Sequence, residues 1–423
     1  MKFINIKMPT EKVSFLEAVE RGVGTHGGLF IPESFPQFSL TNFEATEFQS
    51  IATNVLRPFL SDDFSDAEIS KITEQSFDFP IPLKKLNDHL SLLELFHGPT
   101  AAFKDVAAQF IATVMEHSTQ KPKTILVATS GDTGGAVASA FYRRAGFRVI
   151  ILFPQNGVSE LQKKQLTCWG ENIVSLAVQG SFDQCQSIVK ELLSNKDLVA
   201  KYSFTSANSI NVARLLPQAC YYAASSIWWW KEKQRKANYF IPTGNMGNAL
   251  GAVWARLMGF PIDKITMTTN ANKVIPDYFS TGNFKPLPSL STLANAMDVG
   301  NPSNFARLHY QFPKLEMLQL FCRSVSISDA TIKSTIIKTY QEFAEIICPH
   351  TATAFSVALQ EKAEGIVVST AHPAKFKEIV EPLIGNQIEL PKNFHDWSQK
   401  KSQFHSVEPS ITAVSTMIQA QFK

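Results

Sequence analysis

The sequence predicts an α/β protein with mostly parallel sheets covered on both faces by helices. Three observations carry this reading. Runs such as residues 124–129 and 148–153 are apolar without alternation, as strands buried on both faces are. Helical periodicities alternate with these runs in a βαβα rhythm. At 423 residues the chain exceeds one ordinary core and implies two domains or three.

The elements follow in order. Up to about Leu92 the chain reads as a preliminary region, with helical periodicity at 14–20 and again after Asp66. Between them a Gly27-Gly28 turn leads into a short strand at 29–31. A helix around Lys104 is expected to be capped by Thr100, with Ala101, Ala102 and Phe103 in its first turns. Strands at 124–129, 148–153 and 173–178 then alternate with helices at 134–142, 159–166 and 182–193. A long helix at 210–230 precedes a strand at 238–242, a helix at 248–258 and a strand at 264–268. Pro276, Gly282, Pro286 and Pro288 mark 272–296 as an irregular excursion. Helices at 331–347 and 351–362, a strand at 365–370 and a helix at 374–384 restore the alternation, and 411–422 reads as a closing helix.

Composition excludes several classes. With 44% hydrophobic and 18% charged residues the chain is globular, not disordered. A net charge of +3 without a long basic run argues against nucleic acid; the basic stretch 228–236 reads as the end of a packed helix, or else as a peripheral membrane contact. No signal peptide or membrane span is expected. Five scattered cysteines without CxxC spacing, and nine histidines without an HExxH pair, imply neither a disulfide framework nor a metal and suit the cytoplasm.

In open α/β sheets ligands bind beyond the carboxyl ends of strands, and the loops there are unusual. In His97-Gly-Pro-Thr-Ala-Ala-Phe-Lys104-Asp a lysine stands among small and aromatic residues. Poor solvation favours its neutral, nucleophilic form, which suits capture of an aldehyde; a helix-start lysine reaching solvent is the plainer alternative. Ser130-Gly-Asp-Thr-Gly-Gly135 suits a carboxylate, although Asp132 also reads as a helix cap. Thr243-Gly-Asn-Met-Gly-Asn248 lacks the lysine and hydroxyl of a Walker loop, so it suits a phosphate monoester at a helix start, or is a tight turn. Thr370 can meet a ring nitrogen, and His372 reads as a base or a structural histidine. Arg214 suits a second phosphate or a carboxylate, or an ion pair. An amine, a dianion cradle, a carboxylate loop and a ring-nitrogen partner are together what pyridoxal 5'-phosphate requires.

Seven landmarks, HGPTAAFKD (97–105), TSGDTGG (129–135), SANSINVAR (206–214), PTGNMGN (242–248), NAMDVGNPSN (295–304), PHTATA (349–354) and STAHPAKF (369–376), run through a chain that resembles the threonine synthase family over essentially its whole length. That family lies among the fold-type II pyridoxal-phosphate enzymes, which are tryptophan synthase beta-like. The resemblance implies two open, mostly parallel three-layer α/β domains with an N-terminal extension at 1–95. A large cofactor domain would comprise 96–125 and 238–423, with a smaller one inserted at 126–237.

It further implies that Lys104 bonds the cofactor, that Gly244, Asn245, Met246, Gly247 and Asn248 hold its phosphate, and that Thr370 meets the ring nitrogen. Asp132 would lie near the cofactor hydroxyl, where many related enzymes carry asparagine. Ser130, Gly131, Thr133 and Gly134 would bind the substrate carboxylate, and Arg214, Lys163 and Asn156 the substrate phosphate. The implied reaction is that of a carbon–oxygen lyase acting on phosphates. It converts O-phospho-L-homoserine and water to L-threonine and phosphate by γ-elimination and β-addition of water, ending threonine biosynthesis in a cytoplasmic monomer or homodimer. Serine or threonine dehydratase, cysteine synthase and a non-enzymatic phosphate-metabolite binder are the rivals; a second phosphate site separates them, since a dehydratase has no use for one.

Overall fold

The computed structural model of the chain describes residues 1–43, 46–118 and 121–421. Its strands are β1 Phe3–Asn5, β2 Met8–Val13, β3 Phe30–Pro32, β4 Leu83–Lys85, β5 Leu90–Glu94, β6 Lys123–Ala128, β7 Phe147–Pro154, β8 Ile173–Val178, β9 Phe204–Ser206, β10 Ala237–Pro242, β11 Ile262–Thr269, β12 Cys322–Ser326, β13 Gly365–Ser369 and β14 His405–Val407. They form three sheets. The largest has the order β12-β11-β10-β13-β5-β4 and is parallel except for the β4–β5 pair. A five-stranded sheet, β14-β8-β7-β6-β9, is wholly parallel. A small antiparallel sheet, β2-β1-β3, begins the chain. The apolar runs at β6, β7 and β10 are buried almost throughout, which is why they lack alternation.

Several elements depart from the periodicity reading. Two strands of the large sheet, β4 and β5, lie in the region read as preliminary. A five-residue apolar run such as Leu90–Glu94 cannot be told from helix by period, so only its pairing with β13 identifies it. From the far end of the sequence, β14 pairs with β8 of the other sheet. The irregular excursion contains a helix, Val274–Thr281, stopped by Gly282 in the left-handed region. The long helix expected at 210–230 is a 3-10 turn, Val212–Arg214, followed by Leu216–Lys233 with Pro217 in its first turn. The closing helix is Ile411–Gln421; Phe422, which the expectation included, lies outside the described residues.

The N-terminal region supports the helix Lys104–Ser118. Phe15 packs against Phe110 of that helix at 6.2 Å, and Phe77 stacks on the same ring at 6.1 Å. The beginning of the chain thus packs behind the helix that Lys104 opens.

Candidate active site

Three neighbouring strands of the large sheet, β10, β13 and β5, end side by side and release the loops that line one cleft. The loop after β5 is stitched to the one after β13. Phe103 N–H donates to the Thr370 carbonyl (2.8 Å), His372 N–H to the Ala101 carbonyl (3.0 Å), and Ala102 bridges Ala371. This pairing corrects the expected helix start. Ala101 has φ 52°, outside a helix, and the helix begins only at Lys104. Instead of capping, Thr100 donates its amide (2.9 Å) and hydroxyl (2.6 Å) to the buried Asp105 carboxylate.

Lys104 therefore opens a helix from a braced loop, with its side chain 16% exposed and its ammonium 4.9 Å from the Phe103 ring centre. Burial lowers its pKa, and Lys375 and Arg214 push the same way, while Asp132 opposes them from 3.7 Å. Asp132 is itself buried, which alone would raise its pKa. Lys375, Lys104 and His350 outweigh that and hold the carboxyl below its ordinary range.

The loop after β10 turns through Met246 in the left-handed region (φ 62°) into the helix Gly247–Leu257. The first helical hydrogen bond is from Leu250 N–H to the Met246 carbonyl, so the preceding amides have no helical carbonyl of their own. Side chains pin the loop from behind. Asn245 accepts from Ser303 N–H (2.6 Å) and donates to Ser209 (2.6 Å), and Asn248 accepts from Tyr221 and Tyr222 hydroxyls (2.6 and 2.8 Å). Gly244 must be glycine, because a Cβ there would lie 2.7 Å from Met297 Cα. With both Asn side chains engaged, it is the amides and the helix dipole that face an anion.

The fourth wall comes from the five-stranded sheet, after β6. Ser130, Asp132 and Thr133 face the cleft, with Arg214, Thr370 and the whole 244–248 loop. Gly131 and Gly134 do not: their amides donate to the Thr129 hydroxyl, each at 2.9 Å, which shapes the turn rather than offering donors. Lys163 and Asn156 are also outside. Lys163 sets its ammonium 5.3 Å from the Phe404 ring centre, on a different face of its helix from Gln162 and Gln165, and Asn156 is exposed. Among the described residues Arg214 makes no ion pair. Its Nη1 donates to the Ala207 carbonyl (2.6 Å), while Nε is buried without a partner. His372 caps the segment Pro373–Phe376 through Nδ1, which accepts from Ala374 N–H at 3.2 Å, a structural role.

Two residues of the cleft region were not singled out, although both stand inside quoted landmarks. His350 accepts the Ala296 N–H at Nε2 (3.1 Å), leaving the proton on a buried Nδ1 that has no partner. Its pKa falls to about 4, chiefly through burial, so the ring is neutral. Lys375 is fully buried and bonds Asp132 Oδ1 at 2.8 Å and the Thr100 carbonyl at 2.9 Å. The only signal for either in the sequence was a polar residue amid apolar neighbours after a predicted strand or helix start.

The donor set fits pyridoxal phosphate. Lys104 can reach an aldehyde carbon, the 244–248 amides form an anion cradle, and the Thr370 hydroxyl lines the same cleft. Among the described residues Thr243 Oγ1, Arg214 Nε and His350 Nδ1 are buried polar atoms of the cleft without a partner, which suits a polar ligand there.

Comparison with known proteins agrees. Residues 79–368 match the family model for pyridoxal-phosphate dependent enzymes, 2–77 the threonine synthase N terminus and 351–418 the threonine synthase C-terminal model. The chain is 38% identical over 399 residues to a threonine synthase of Serratia marcescens, covering 93% of each. It superposes on the crystal structure of threonine synthase from Escherichia coli with TM-score 0.94 and 34% identity over 100% of both chains. A PLP-bound threonine synthase from Brucella melitensis gives TM-score 0.92 at 28% identity over 99% of both.

Proposed function

Because this chain belongs to the pyridoxal-phosphate-dependent threonine synthases, we propose that the cleft at Lys104 is where it converts O-phospho-L-homoserine and water to L-threonine and phosphate, the last step of threonine biosynthesis. When bound, the cofactor supplies a carbonyl for the substrate amine and an electron sink for the carbanion charge. Lys104 would hold its carbonyl carbon, the amides of 244–248 its phosphate, and Thr370 its ring nitrogen, where a hydroxyl leaves the ring less firmly protonated than a carboxylate would.

Lys104 is the proton carrier. With cofactor and substrate bound, the free ε-amine of Lys104 would remove the proton at Cα, and the same amine would serve the transfers at Cβ and Cγ. Each such transfer is worth roughly 10²–10⁴-fold. The depressed pKa of Lys104 supports this, since burial favours the neutral amine, the form able to accept a proton. Ser130 and Thr133 offer hydroxyls to the substrate carboxylate. Arg214, with Nε buried and unbonded, would offer charge to the substrate phosphate. A buried cation with an unbonded Nε in the cleft, in addition to the amides of 244–248, is what supports the reading against a dehydratase or cysteine synthase. The division into an N-terminal region and two α/β units belongs to the same proposal, with β4 and β5 counted in the large unit and β14 in the small one. Among the described residues no helix is long and apolar enough to cross a membrane. The proposal places the enzyme in the cytoplasm as a monomer or homodimer, consistent with five buried free thiols.

The test is product formation from phosphohomoserine beside serine, threonine and O-acetylserine. Threonine and phosphate should appear in equal amounts without a keto acid. Lys104→Ala should lose the visible absorbance of the lysine-bound cofactor and lose turnover by at least about 10²-fold. Keto acid from serine, or the band surviving in Lys104→Ala, would overturn the reading.

A further inference from the structure

We propose that Lys375 is a positioning residue: it locks Asp132 with one oxygen engaged and the other turned to Lys104, so that Asp132 serves as the counter-charge for the proton Lys104 carries. The inference rests on the role of Lys104 given above and adds to it how the proton is retained.

The geometry is over-determined. Asp132 Oδ1 is bonded by Lys375 Nζ at 2.8 Å and by Gln162 Nε2 at 3.0 Å, which leaves Oδ2 facing Lys104 Nζ at 3.7 Å. Neither partner is free to swing. Lys375 is also held by the Thr100 carbonyl at 2.9 Å. Gln162 accepts through Oε1 from Ser159 N–H (3.0 Å) and from Asn295 Nδ2 (3.2 Å). Gly131 closes over Gln162 so tightly that a Cβ would lie 2.6 Å from its Cδ. The carboxylate thus cannot rotate without breaking contacts to three segments.

The chemistry explains why such a device is useful. An ammonium formed on Lys104 in this cleft is desolvated, and Lys375 and Arg214 repel it. Asp132 offsets that only while ionised, and a buried carboxylate ionises only when paired. Lys375 therefore repels Lys104 directly but sustains the charge that stabilises it. The groups facing Asp132 are Lys375 and Lys104, with neutral His350 and the Cys348 thiol beyond. Asp105 and Arg214 flank Lys375 and Lys104.

The test uses the cofactor-loaded enzyme between about pH 5 and 8, a window above the ordinary carboxylate value of about 4, so that a carboxyl titrating within it is one whose pKa has been raised, and one in which His350 stays neutral. In the wild type the visible band of the lysine-bound cofactor should not change through an Asp132 titration. Lys375→Met should introduce one: as pH falls Asp132 takes up a proton, the band moves toward its unprotonated form, and kcat falls with it. Asp132→Asn, with Lys375 intact, should show the unprotonated band across the window and a kcat lower by roughly 10–100-fold, a part of what one proton transfer contributes. The Lys375→Met/Asp132→Asn pair should lose the titration while keeping the low kcat. A merely structural Lys375 would lower the melting temperature and leave the band's pH dependence unchanged, and that result overturns the proposal. So does a wild-type band in Asp132→Asn, which decides the matter if Lys375→Met does not fold. Failure of the underlying reading is distinct, since then the wild-type protein would form no lysine-bound band at all.

Discussion

His350 illustrates how a single buried ring acquires both a chemical state and a cost. Its Nε2 is occupied by a backbone amide and burial disfavours its charge, with Lys104 and Lys375 adding to that against the pull of Asp132, so the native ring does not protonate until about pH 4. The unfolded chain binds that proton near 6.5. Across this window the unfolded state carries more protons than the native one, so acid removes stability; the contribution is intact above 6.5 and lost as pH falls through about 4. One ring shifted this far accounts for about 3 kcal/mol at the acid end. His372, likewise depressed to about 4 by burial, adds in the same direction. Urea unfolding as a function of pH should show stability declining below about pH 6.5, and His350→Gln should flatten part of that slope. An unchanged slope would mean the ring is solvated in the native state.

At the scale of the element, the site is made by strand ends and by the first turn of helices. The loop after β6 is tightly constrained: Gly131 has φ 134°, where a side chain is strained, and a Cβ there would meet Gln162. Gly131→Ala should cost about 1–3 kcal/mol from backbone strain. It should also displace Gln162 from Asp132, so cofactor affinity and kcat fall more than stability alone explains. A calorimetric melt beside a cofactor titration separates the two; equal losses in both would remove the special role of that turn. These loops were legible as glycine-rich strand ends because their composition is abnormal for a plain connection. Which of their groups point inward was not legible. Thr129 consumes the Gly131 and Gly134 amides, and the face of the helix Glu160–Thr167 that meets the cleft is set by docking, so Gln162 enters while Lys163 leaves.

On the scale of the whole molecule, Arg307 ties together parts of the chain that are far apart in sequence. Fully buried, it donates to the carbonyls of Phe30 (2.9 Å), Ser209 (3.0 Å) and Ile210 (2.6 Å) and to Asn304 Oδ1 (2.6 Å). Asn304 in turn donates to the Asn245 carbonyl at 3.0 Å. The N-terminal sheet, the turn before Arg214 and the anion cradle thus share one guanidinium. Arg307→Met should leave those acceptors unpaired and cost about 3 kcal/mol or more. It should also weaken cofactor binding although Arg307 does not line the cleft. Chemical denaturation and a cofactor titration check this, and normal cofactor affinity in a destabilised variant would confine Arg307 to stability.

Local order alone determined the strand and helix rhythm and the unusual loops. Burial on both faces writes uninterrupted apolar runs, and close approach to a ligand writes glycine, so the parallel sheets, Lys104 and the 244–248 turn were visible from residue order. Short strands such as β5 and β14 were not, because a few apolar residues carry no period and their partners lie far along the chain. Nor were Lys375 and His350. A polar residue in an apolar stretch declares its role only when folding brings it within reach of Asp132 or the Ala296 amide. Tertiary packing decided those pairings, because hydrogen bonds and charge pairs depend on distances between segments that the linear pattern does not contain.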